Sequence, residues 1–144
     1  AADSILLALY TGMRIGEVCT LKWEYWHPDM HQLILPDTKS GHPFTCPLAP
    51  PAIAVVQCQQ DLMLSKTYIF PQLTDNARPL AYPRATFARI CRDANIDNLR
   101  MHDLRRTFAT RVLHATGDLA IGSHLLNHPV VSQVIESYDT KMNL

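Results

Sequence analysis

The sequence has no net charge, since 13 lysines and arginines balance 13 aspartates and glutamates over 144 residues. Any grip on an anionic partner must therefore come from a local patch rather than from the charge of the whole chain. No apolar run approaches the roughly 20 residues that a membrane helix needs. The opening stretch AADSILLALYTGMR lacks the basic end and small-residue cleavage site of a secretory signal, and the expectation is a cytoplasmic protein. No CxxC pair occurs. Cys19, Cys46, Cys58 and Cys91 lie far apart, which suits neither a zinc ribbon nor a dense disulfide framework and implies reduced, mostly buried thiols. Internal repeats and low-complexity tracts are also missing. What remains is 47% hydrophobic and 18% charged, enough for one ordinary core, so residues 1–144 read as a single domain.

Charge is absent only on average. Between Arg78 and Arg111 stand eight arginines against three aspartates, and the rest of the chain carries the compensating acidic excess. Every cation in that stretch is arginine, whose planar fork matches two oxygens of one phosphate. A solvated helical surface would also explain such a cluster, so the spacing of individual residues has to decide.

Asp3 or Ser4 is a candidate N-cap for a first helix with Ile5, Leu6 and Leu9 on its apolar side. Thr11-Gly12 ends that helix, Ile15, Val18 and Leu21 form the stripe of the next one, and Arg14 falls at the corner between them. The alternation around DTKSG predicts a β-hairpin with Lys39 at or near its turn. PPAIAVVQCQQDLML reads as a helix with prolines in its first turn, TYIFP as an extended piece, and PRATFARICRDANI as a helix with Ala85, Phe87, Ile90 and Cys91 inward. Asp103 is the candidate N-cap of a helix that turns Leu104, Phe108 and Val112 toward the core. His102 and Arg105 then project near one another at a helix N-terminus, where backbone N–H groups favour an anion. DLAIGSHLLNH and VVSQVIESYDT form two further helices, the last ending at Tyr138. The fold class that results is α+β, mostly α-helical, with a small antiparallel β-sheet. Trp23 and Trp26 are assigned to the core or an interface.

Taken in order, Arg14 in TGMRIGEVCTLKW, Lys39 in DTKSG, HDLR at 102–105, LLNH ending at His128, and Tyr138 in ESYD resemble the tyrosine recombinase family, the phage-integrase-like site-specific DNA recombinases. The specific part is the pair of arginine boxes, with about ninety residues between their arginines. The resemblance implies a catalytic domain acting on double-stranded DNA with neither metal nor other cofactor. It also implies that the chain is a fragment without the family's N-terminal DNA-clamping domain and first catalytic-domain helix. Such a fragment is expected to be monomeric where the full-length protein forms a tetramer on DNA near the nucleoid of a bacterial or phage-infected cell. One departure stands out: His128 and Tyr138 are ten residues apart where the family has nine.

Phosphodiester transesterification develops negative charge on the non-bridging oxygens, and fixed cations aimed at that centre stabilise its transition state. Arg14 and Arg105 would fork the scissile phosphate. Tyr138 would attack phosphorus, forming a 3′-phosphotyrosine and freeing a 5′-hydroxyl. His102 is a candidate base or phosphate donor, and Lys39 would protonate the leaving 5′-oxygen. His128 would hydrogen-bond the phosphate or the nucleophile. Glu17, one turn after Arg14, would orient its guanidinium or simply form a surface pair worth about 0.2–0.5 kcal/mol. Arg106 and Arg111 are candidate DNA-backbone contacts. Two alternatives remain. One is a DNA-binding module on the same fold that has lost its chemistry. The other is a zinc-dependent hydrolase using His124 and His128, spaced to share a helix face, although Leu125 occupies the place where a zinc protease helix carries glutamate.

Overall fold

The computed structural model describes residues 1–36, 41–118 and 120–121. Leucine and alanine dominate the first helix, α1 (Ala2–Thr11), and its end is set by Gly12, whose φ of 73° places it in the left-handed region. Glycine meets that conformation without a Cβ penalty. After an extended Arg14 the chain re-enters a helix at once as α2 (Ile15–Cys19). The stripe expected there is buried in full, with Ile15, Val18 and Leu21 all in the core.

The hairpin forms as the alternation predicts. Strands β2 (Gln32–Leu35) and β3 (Phe44–Pro47) pair antiparallel with Leu33 opposite Cys46 and Leu35 opposite Phe44, and these four side chains face the core. A third strand, β1 (Trp26–His27), joins the free edge of β2. Two residues are too few to show a period of two, and the sequence reading misses them. Trp26 is buried and Trp23 half-buried, its indole N–H donating to the Ser65 carbonyl at 3.1 Å.

Helix α3 (Pro50–Leu62) carries prolines in its first turn, where their missing N–H costs nothing. Its Gln59 amide donates to the Asp3 carboxylate at 2.7 Å, pinning α3 to the start of α1. The extended piece predicted around TYIFP buries Ile69 and Phe70. It is stitched to the α2 exit by the Ile69 N–H to Leu21 carbonyl bond, 3.0 Å. Helices α4 (Arg84–Asp93) and α5 (Met101–Thr116) follow. At the centre lies α1, packed against α2, α3 and α5. The architecture is the expected one, mostly helical with a small antiparallel sheet. Among the described residues no helix is long and apolar enough to cross a membrane.

Several local expectations are corrected. The cap of α1 is Ala1 rather than Asp3 or Ser4, because the chain is already helical at Ala2 and Asp3 is taken up by Gln59. Ile5 is buried as expected and Leu9 packs against the core, but Leu6 is exposed while Leu7 and Ala8 are buried, since α1 is covered on several sides. Helix α4 has no buried residue: Ala85 and Ile90 are exposed, Phe87 and Cys91 half-buried. Asp103 is the third residue of α5 rather than its cap. It reaches back to accept the N–H of the cap residue Arg100 at 2.8 Å, the carboxylate half of a capping box. The inward face of α5 is Met101, Leu104, Arg105 and Ala109, with Phe108 and Val112 only half-buried. Of the four thiols, Cys19 and Cys46 are buried but Cys58 is exposed.

Candidate active site

The corner between α1 and α2 and the first turn of α5 enclose one open hollow of about 550 Å³. Arg14 and Glu17 reach it from the corner, His102 and Arg105 from α5. Two guanidinium groups about ninety positions apart in sequence are thus brought to the walls of one space.

Local chemistry explains the convergence. Gly12, turned into the left-handed region, points its carbonyl at α5, and Arg105 donates to it through Nη1 at 2.8 Å. Arg105 is only 6% exposed. Burial, with Arg14 adding repulsion and Glu17 partly offsetting it, pushes the Arg105 pKa down to about 10. The group is still a full cation at neutral pH. Arg14 caps α2 with its backbone and extends its side chain toward Glu17, with Nη1 3.5 Å from Oε1. Glu17 therefore serves both arginines, positioning one and moderating the charge of the other.

His102 stands exposed on the first turn of α5. Partial burial first, then Arg106, Arg105 and Arg14, hold its pKa below the usual value near 6.5, against a weaker opposite pull from Asp103. At neutral pH the imidazole is uncharged, so it can accept a proton or donate one hydrogen bond. The hollow thus presents two fixed cations and a neutral imidazole, and like charges held together in the free protein are relieved by an anion.

Of the residues singled out from sequence, Arg14, Glu17, His102 and Arg105 meet here. Arg106 stands outside the lining and pairs with Asp103 at 3.4 Å, and Arg111 is exposed further along α5. Lys39, His124, His128 and Tyr138 lie outside the described residues. The lining also contains Met13, Ile15 and Met101 as apolar wall, and Gly16, Thr20 and Tyr82, none of which sequence reasoning had assigned to the site. Gly16 and Thr20 had a signal available, Gly16 being on the same short helix as Glu17 and Thr20 capping its end. Tyr82 had none, because it arrives from an irregular segment whose path no periodicity reveals.

With this geometry in hand, comparison with known proteins is informative. The model of the phage integrase family matches residues 2–143. Tyrosine recombinase XerC of Xanthomonas campestris pv. campestris is 31% identical over 134 residues, 88% of this chain and 40% of that protein. The chain spans 34% to 40% of the length of the curated relatives it matches. Among solved structures, XerA recombinase superposes with a TM-score of 0.77 at 24% identity, covering 98% of this chain and 57% of that one. The XerH site-specific recombinase bound to palindromic difH substrate superposes with a TM-score of 0.78 at 18% identity, covering 97% and 42%.

Proposed function

The chain belongs to the phage integrase family, and on that premise we propose that it is the catalytic domain of a site-specific DNA recombinase that cuts and rejoins strands through a 3′-phosphotyrosine intermediate. The observation that carries the reading is the shared hollow of Arg14, His102 and Arg105. Its charge suits a phosphate of a duplex backbone, and its size leaves room for the strand on either side.

In this reading the scissile phosphate lies between the two guanidinium forks, which neutralise the charge that develops on its non-bridging oxygens. The phenolic oxygen of Tyr138 attacks phosphorus, the P–O5′ bond breaks, and the phosphoryl group passes to tyrosine. Neutral His102 takes the phenol proton or donates to a non-bridging oxygen, His128 supports the phosphate, and Lys39 gives its proton to the departing 5′-oxygen. Energy of the old ester is kept in the new one, so the 5′-hydroxyl of a second strand can reverse the step with no external energy source. Arg106 and Arg111 would hold neighbouring phosphates. The domain would act in the cytoplasm as part of a longer protein that assembles as a tetramer on DNA.

The test uses the full-length protein and a nicked suicide duplex carrying its own site. Covalent protein–DNA adduct is expected from the wild type and none from Tyr138→Phe. Duplex binding without adduct in the wild type would reassign the protein to a non-catalytic DNA-binding module, and absence of both would remove the recombinase reading.

A further inference from the structure

Gly16 is the second residue of α2, inside a helix, where glycine is the poorest choice after proline. Its backbone does not ask for it. The residues with positive φ include Gly12, Gly41 and Gly117 but not Gly16. Packing does not ask for it either, since a Cβ built at this position would meet nothing within 4 Å. At Gly12 the left-handed turn accounts for the glycine, whereas at Gly16 neither the backbone nor any contact among the described residues does. Yet Gly16 forms part of the wall of the hollow that holds Arg14, His102 and Arg105. A methyl group there would displace no described protein atom and would take up space in the hollow.

We infer that Gly16 is a clearance residue: its missing side chain leaves open the lane through which the sugar–phosphate strand flanking the reacting phosphate passes across α2. The inference rests on the function proposed above and adds a residue that the arginine chemistry does not call for. A phosphate alone would need only the two forks. A strand brings the 3′ and 5′ sugars on either side of that phosphate, and these must cross the wall beside Arg14. The bare backbone at 16 lets them come to van der Waals contact. Thr20, one turn further along the same wall, already donates its hydroxyl to the Gly16 and Glu17 carbonyls at 3.2 Å each.

This separates a small anion from a polymer, and the experiment uses the difference. Gly16→Ala and Gly16→Leu both install better helix formers, so each is expected to raise Tm, alanine by about 3 °C. Protection of the protein by inorganic sulfate against thermal unfolding should be unchanged in both, because the arginine pair is untouched. Covalent adduct formation on the suicide duplex by the full-length protein should fall with side-chain size, reaching about 10²-fold for leucine, as expected when a reacting group is displaced by about 1 Å. The effect should be on the rate at saturating DNA as well as on apparent affinity. A leucine variant that forms adduct at the wild-type rate would overturn the inference while leaving the recombinase reading intact. Loss of sulfate protection alongside loss of adduct would overturn it too, since the substitution would then have disturbed the arginines rather than narrowed the lane. If the wild type neither binds nor cleaves duplex, the proposed function fails and this inference with it.

Discussion

Replacing Arg105 by methionine separates what this residue does for the fold from what it does for an anion. Its pKa, pushed down to about 10 from the usual guanidinium range chiefly by burial, means that the folded protein binds this proton less readily than the unfolded chain. The charge therefore costs stability at every pH below about 10, and at 1.36 kcal/mol for each tenfold change in proton affinity the cost is about 3 kcal/mol. Methionine removes that cost and keeps an unbranched side chain of similar length in a site 6% exposed. Against it stands the lost charge-assisted bond to the Gly12 carbonyl at 2.8 Å. A charged hydrogen bond is worth about 1.5–3 kcal/mol, and the acceptor is left buried. The two effects oppose one another, so Arg105→Met should still fold, with a loss of stability no greater than about 3 kcal/mol. Adduct formation should nevertheless drop by about 10²–10³-fold, as for loss of one preorganised donor at an oxyanion. Circular dichroism melts with and without sulfate, run beside chloride at equal ionic strength, provide the assay, together with the suicide duplex. A loss of stability well above 3 kcal/mol would show Arg105 to be a structural strut. Full sulfate protection in the variant would place the anion elsewhere.

Because the His102 pKa is depressed, the stability tied to it is complete above the usual 6.5 and is lost as pH falls through its lower folded value. His102→Gln should flatten the acid limb of Tm against pH below the usual histidine range near 6.5, and sulfate should raise the histidine pKa seen by NMR; an unchanged limb would contradict this. Gly12→Ala forces a Cβ into φ 73° and should cost about 1–2 kcal/mol, while also misdirecting the carbonyl that holds Arg105, so sulfate protection should weaken with it. Burial pushes Cys19 to about 11 and Cys46 to about 12. A thiol reagent at pH 8 should label exposed Cys58 and leave both until the chain unfolds, as mass spectrometry of the intact protein would show.

What the sequence made legible, and what it hid, follow from the range of each interaction. Arg14 with Glu17, and His102 with Arg105, are one-turn neighbours, so helical geometry alone brings each pair together. Alternation exposed the hairpin because one face of β2 and β3 is buried while the other is not. The burial of α1 was misjudged at Leu6, since a helix covered by α2, α3 and α5 has no single inward stripe. In α4 the pattern identifies an apolar side but cannot say how deeply it is covered, and Ile90 is 38% exposed. Sequence alone does not separate the cap from the third position for Asp103, because a carboxylate serves a helix start from either place, bonding N–H groups ahead of it as a cap or that of the cap residue from the third position. Tyr82 enters the hollow through a non-periodic path, which is tertiary information by nature.

The spacing Thr11-Gly12-x-Arg14 is then understandable as one physical unit. Thr11 is buried and donates its hydroxyl to the Leu7 carbonyl at 2.7 Å while accepting the Met13 N–H at 3.2 Å. Gly12 closes α1 with its N–H on the Ala8 carbonyl at 2.9 Å and turns its own carbonyl toward Arg105. Met13 drops into the core, and Arg14 begins α2 with its carbonyl accepting the Val18 N–H at 3.0 Å. These bonds fix the backbone of a sharp helix-to-helix corner. The same turn that ends one helix and starts the next sets where Arg14 leaves the chain and where Arg105 is held. Position at the reacting phosphate is therefore inherited from the polar satisfaction of a buried corner. A substitution that leaves both arginines in place but frees the Thr11 hydroxyl or flips the Gly12 peptide would loosen the site as surely as removing a charge.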